Sequence, residues 1–144
     1  MSRDIIHAIE IHAESKSVYD MISTRSGLAA FWKPDVEGDE AVGGELTFGF
    51  AGAPVRLPMR VARLDPPNEV SWDCPGGFPR WDGTHVSWSA EPSEHGTKVV
   101  FRHLGFPDDM PEYDFGSISL TWAQIMARLK DVVESGGAPN PALS

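Results

Sequence analysis

The chain of 144 residues has a single cysteine, so it cannot form a disulfide within itself. Cys74 sits in an apolar alternating run, which reads as a reduced, buried thiol. Long apolar runs are missing as well. Nothing approaches the ~18 consecutive apolar residues needed to cross a bilayer. The segment from Met1 to His12 lacks the basic-then-apolar order of a secretory signal. These absences predict a cytoplasmic protein without membrane insertion. Basic residues are few and scattered: 12 Lys and Arg stand against 21 Asp and Glu, for a formal charge of −9. Nucleic acid and anionic membranes are held largely by clustered Lys and Arg, so neither is an expected partner. The acidic surplus serves solubility. Internal repeats, low-complexity tracts and long linkers are also lacking. Residues 1–144 are therefore expected to form one domain, with a flexible tail over 137–144.

What is present is ordinary for a globular protein: 41% apolar and 23% charged residues, at a length where roughly 70% of the unfolded chain's surface can be buried. From Asp4 to Ile11 the residues Ile5, His7, Ile9 and Ile11 alternate with Asp4, Ala8 and Glu10, the mark of a half-buried strand; Ile6 falls on the outer face. Ser15 and Thr24 are expected N-caps of two short helices, the second ending near Trp32 before Pro34. Strands separated by turns follow. Leu46, Phe48 and Phe50 alternate inward, then Leu57, Met59 and Val61, with Pro58 suited to an edge or a bulge. After the turn Asp65-Pro66-Pro67-Asn68 come Val70, Trp72 and Cys74. A Gly- and Pro-rich loop, Pro75 to Gly83, leads to Thr84, Val86, Trp88 and Ala90, and the last strand carries Thr97, Val99, Phe101 and His103. Finally Phe115, Ile118, Trp122, Ile125, Leu129 and Val132 recur every three or four residues, one stripe of a long helix that Gly136-Gly137 should end. Hairpin-length connections exclude a parallel doubly wound sheet, so the fold class is α+β.

The order of these elements, with AESKSVYDMI (13–22), GLAAFW (27–32), Gly43-Gly44 before a strand, Leu64-Asp65-Pro66 and WDGT (81–84), resembles the START-like, or Bet v 1-like, superfamily. So do Gly96-Thr97 before a strand ending in His103, Trp122 in the last helix, and ESGGAP (134–139). The motifs are similar to those of the branch named after activators of the heat-shock protein 90 ATPase, over nearly the whole chain. The resemblance implies a helix-grip fold: about seven curved antiparallel strands around the C-terminal helix, two short helices after the first strand, and a cavity between sheet and helix. Superfamily members bind lipids, steroids, hormones and polyketides, and some are aromatases or cyclases. In the eukaryotic activators such a domain follows a larger N-terminal one. Here the first strand begins at once, so that domain is expected to be absent.

With that cavity implied, the inward residues become its expected lining. Alternation supplies Phe48, Phe50, Met59, Trp72, Trp88 and Phe101, and the helix stripe adds Trp122 with Met126 nearby. His103 is the inward polar residue of most interest, since a neutral imidazole can bond a ligand carbonyl or act as a base; a lone histidine of this kind is more often a satisfied core residue. Asp73 and His85 are expected to pair on the outer face. Cys74, His7 and His103 show none of the local spacings of a zinc site, and neither a GxSxG elbow nor a glycine-rich phosphate loop occurs, so no metal or cofactor is expected. The expected function is non-catalytic binding of a hydrophobic small molecule. A cyclase- or aromatase-type enzyme and a chaperone-associated module that stimulates a heat-shock protein 90 ATPase are the alternatives. Outer-face Val100 and Leu104 point to a contact such as a homodimer.

Overall fold

The computed structural model describes residues 2–50, 52, 54–76 and 80–135. Strand β1 (Ser2–Ile11) obeys its period of two: Ile5 and Ile11 lie in the core, while Ile6 is 58% exposed. Helix α1 (Ser15–Ser23) follows, and its cap differs from the expectation. Glu14 occupies the N-cap without a side-chain cap bond, and Ser15 is the first helical residue. The cause is tertiary: the Thr97 hydroxyl donates to Ala13 O at 2.7 Å, and Ser15 Oγ donates in turn to Thr97 Oγ1 at 3.2 Å. Helix α2 (Arg25–Phe31) has the expected cap, with Thr24 Oγ1 accepting from the N–H of Gly27 at 3.1 Å.

Six further strands are β2 (Val36–Gly38), β3 (Glu45–Phe48), β4 (Leu57–Asp65), β5 (Glu69–Asp73), β6 (His85–Ser93) and β7 (Gly96–Pro107). They form one antiparallel sheet of seven strands in the order β1-β7-β6-β5-β4-β3-β2. From β2 to β7 each strand pairs with its successor in sequence; β1 joins the far side of β7. Pro58 lies opposite Thr47 of β3, and β4 meets β5 only from Arg60 onward, so the residue without an N–H stands where β5 does not reach. Strand β7 runs beyond His103. Gly105, at φ +94°, carries the bend, its N–H donates to Asp4 Oδ1 at 3.0 Å, and the extension delivers Phe106 to the core.

Helix α3 (Glu112–Glu134) packs on the concave face, with Trp122, Met126, Leu129 and Val132 buried against the sheet. This is the helix-grip arrangement of an α+β fold. The expected helix stop at Gly136-Gly137 and the tail over 137–144 lie outside the described residues. On the convex face Asp73 and His85 pair in register, with Oδ1 2.6 Å from Nδ1, both partners exposed. Such a pair contributes little to stability. Val100 is only 7% exposed within the chain itself, so it offers less contact surface than its outer-face position suggests.

Candidate functional site

The concave face carries aromatic side chains because strands β3, β5, β6 and β7 each place bulky residues at alternate positions. In the structure these rings meet one another. Trp88 lies 4.7 Å from Phe101 and 6.1 Å from Trp72 between centroids, and Phe101 lies 4.4 Å from Trp122. Of the residues expected to line a cavity, Phe48, Met59, Trp72, Trp88, Phe101, His103 and Met126 are buried side chains of this cluster. Phe50, past the end of β3, is half-buried.

His103 is fixed at both nitrogens. The indole N–H of Trp122 donates to its Nδ1 at 3.0 Å, which leaves the proton on Nε2. Nε2 then donates to Thr84 Oγ1 at 2.9 Å, and the Thr84 hydroxyl donates to the carbonyl of Trp81 at 2.6 Å. Burial, reinforced by the charge of His85, pushes the imidazole down to about 3, so it stays neutral at physiological pH. The relay ties α3 to β7 and to the loop before β6. His7, on β1, contacts Ser119 of α3 through Nε2, 3.1 Å from Oγ. Cys74 is buried with Sγ 3.4 Å from Met59 Sδ, and burial raises its thiol to about 11. Neither reactive thiolate nor ready base results.

One open space lies at the mouth of the grip. An apolar cleft of about 180 Å³ is bounded by the rings of Trp32, Phe50, Trp81 and Trp122, and α3 closes it with Ile118 and Ile125. Its hydroxyl-bearing lining residues are Ser117 and Thr121. Each wall has a local cause. Trp32 caps the C-terminus of α2, its N–H bonded to Leu28 O at 2.8 Å, and its ring packs 4.3 Å from Phe48 and 5.0 Å from Trp122. Trp81 is held through its carbonyl by Thr84, and its ring stands 5.9 Å from Trp122 and 4.7 Å from His103. Of the expected lining, Phe50 and Trp122 border this cleft. Trp32 and Trp81 were not singled out by periodicity, because one is a helix cap and the other a loop residue. A larger groove of about 570 Å³ runs along α1 and α2, but it is shallow and bordered by polar side chains such as Ser17, Asp20 and Thr24, a poor seat for an apolar molecule. No metal-binding cluster of His, Cys, Asp and Glu occurs among the described residues. Nor is any described helix long and apolar enough to cross a membrane.

Comparison with known proteins places this geometry in context. The family model described as Activator of Hsp90 ATPase homolog 1-like protein matches residues 12–134. Among solved structures, the Aha1 dimer from Colwellia psychrerythraea is similar at 29% identity with a TM-score of 0.82, over 93% of this chain and 98% of that one. CalU16 from Micromonospora echinospora is similar at 17% identity with a TM-score of 0.71, over 99% of this chain and 80% of that one. DynU16, from the dynemicin biosynthetic locus, gives 16% identity and a TM-score of 0.75, over 92% of this chain and 48% of that one. At such identities the last two likenesses are of fold alone. No curated protein matches the chain.

Proposed function

The chain belongs to the family of Activator of Hsp90 ATPase homolog 1-like proteins, and from that premise we propose that it binds a hydrophobic small molecule at the mouth of the grip without transforming it. The observation that carries this reading is the apolar cleft of about 180 Å³ walled by Trp32, Phe50, Trp81 and Trp122. Aromatic walls with a few polar groups at the rim are the usual make-up of a small-molecule site. Binding without chemistry is favoured because the described residues of the lining carry neither imidazole nor carboxylate, the groups that most often move protons near neutral pH. The deeper rings, from Phe48 to Phe101, serve as the rigid floor of the site. The buried, reduced Cys74 fits a cytoplasmic setting.

The test uses N-phenyl-1-naphthylamine, a neutral probe that fluoresces in apolar surroundings. One-to-one binding is expected for the parent protein. Thr121→Trp, which fills the cleft from the exposed side of α3, should weaken it by roughly tenfold or more. Ser87→Phe on the convex face should leave it unchanged. Absence of binding, or binding indifferent to Thr121→Trp, overturns the reading. A homodimer is the second element of the proposal, favoured by the dimeric state of the similar Colwellia protein. Light scattering coupled to gel filtration at micromolar concentration decides it, with a monomer mass as the adverse result.

A further inference from the structure

Arg128 is the one arginine whose burial matches that of the core, at 4% exposure, and its Nε and Nη1 have no hydrogen-bond partner among the described residues. An arginine remains charged at every physiological pH, and a charge withdrawn from water without a partner is destabilising. The chain does not lack acids: it has 21 Asp and Glu, and Arg25, Arg56 and Arg63 each lie beside one. The exception is placed where a ligand would meet it. Arg128 and Lys33 border a compartment of about 390 Å³ that shares Trp32, Phe50, Thr121 and Ile125 with the apolar cleft, so the two spaces are contiguous. Lys33 is held at this border with its ammonium 4.7 Å over the ring of Phe50. Taken alone, the apolar compartment is smaller than the usual ligand site of roughly 300–1,000 Å³; joined to its neighbour it falls within that range.

Building on the binding reading above, we propose that the ligand is an apolar carboxylate, its ring or chain between Trp32, Phe50, Trp81 and Trp122 and its anionic end at Arg128 and Lys33. A guanidinium offers a planar fork of donors that matches a carboxylate, and the surrounding protein strengthens that pairing by excluding water. The unpartnered arginine is then a group held ready for an anion. The acidic surface of the molecule repels anions in general, so selection depends on this local pair of cations together with apolar burial.

The probes are 2-naphthoate and its neutral counterpart 2-naphthamide, titrated by calorimetry. The carboxylate should bind the parent protein roughly tenfold or more tightly than the amide. Arg128→Met should abolish that preference, weakening the carboxylate far more than the amide, and keep or raise the melting temperature, since it removes buried donors that have no partner. Lys33→Met, at a less buried position, should reduce the preference in part and serves as the second variant if Arg128→Met does not fold. Equal affinities for the two probes in the parent protein overturn the anion inference and leave the hydrophobic-cleft reading standing. A carboxylate preference that survives both substitutions overturns it too. If neither probe binds, both readings fall.

Discussion

Two tryptophans of the same core differ in one atom's fate. The Nε1 of Trp122 donates to His103, whereas the Nε1 of Trp88 is buried without a partner among the described residues. Phenylalanine at either position removes similar apolar surface, but only at 122 does it strand an acceptor. Trp122→Phe is therefore expected to destabilise by about 1–3 kcal/mol more than Trp88→Phe, because a buried group left unbonded keeps its full desolvation cost. Urea unfolding of the two variants measures the difference, and equal losses would refute the relay. The sequence shows His103 as inward through alternation, and the structure agrees. Its partners at Thr84 and Trp122 are 19 residues away on either side, beyond the reach of any local pattern. That distance is why periodicity alone left a satisfied core histidine and a ligand anchor side by side as readings of one residue.

At the scale of elements, the stripe of α3 is the feature most readable from sequence, and it includes a charged residue. Arg128 lies three residues after Ile125 and four before Val132, hence on the same face, and only its charge argued for the solvent side. Trp32 and Trp81 belong to no periodic run, so the mouth of the cleft was invisible to period-two and period-3.6 reasoning alike. The α1–α2 corner has a different legibility. Gly27 looks like a poor choice inside a helix, since alanine is favoured there by about 1 kcal/mol. A Cβ at this position would sit 2.2 Å from Met21 O and 2.5 Å from Met21 Cα, both backbone atoms of α1. Gly27→Ala is expected to destabilise by about 1–3 kcal/mol despite its better helix propensity, because the two helices must separate. A variant that melts with the parent, or above it, would show that the corner yields freely.

For the whole molecule, the neutral histidine couples stability to pH. His103 in the unfolded chain takes a proton near 6.5, whereas the folded chain resists until about 3. Between those values the unfolded state binds more protons, so stability is fully present above about 6.5 and declines on acidification, by at most about 1.4 kcal/mol per pH unit from this group. Glu134 adds to the loss only at lower pH: its carboxyl is held below the usual range by the N–H of His12 and by Lys130, so that contribution disappears as pH falls through its folded value. Unfolding free energies at pH 6.5 and 5.0, beside the NMR signals of the His103 ring, test this, and a ring that titrates near 6.5 in the folded protein contradicts it. The sheet order has a consequence for biosynthesis. Among the described residues β1 pairs with β7 alone, from Ile11 opposite Thr97 to Ser2 opposite Pro107, so a strand made before the meander finds its place only after it. The meander from β2 to β7 can assemble hairpin by hairpin as it leaves the ribosome. At roughly 5–20 residues per second, the isoleucine-rich β1 waits on the order of 5–20 seconds for β7. A cellular factor that shields nascent chains would find Ile5, Ile9 and Ile11 uncovered during that interval.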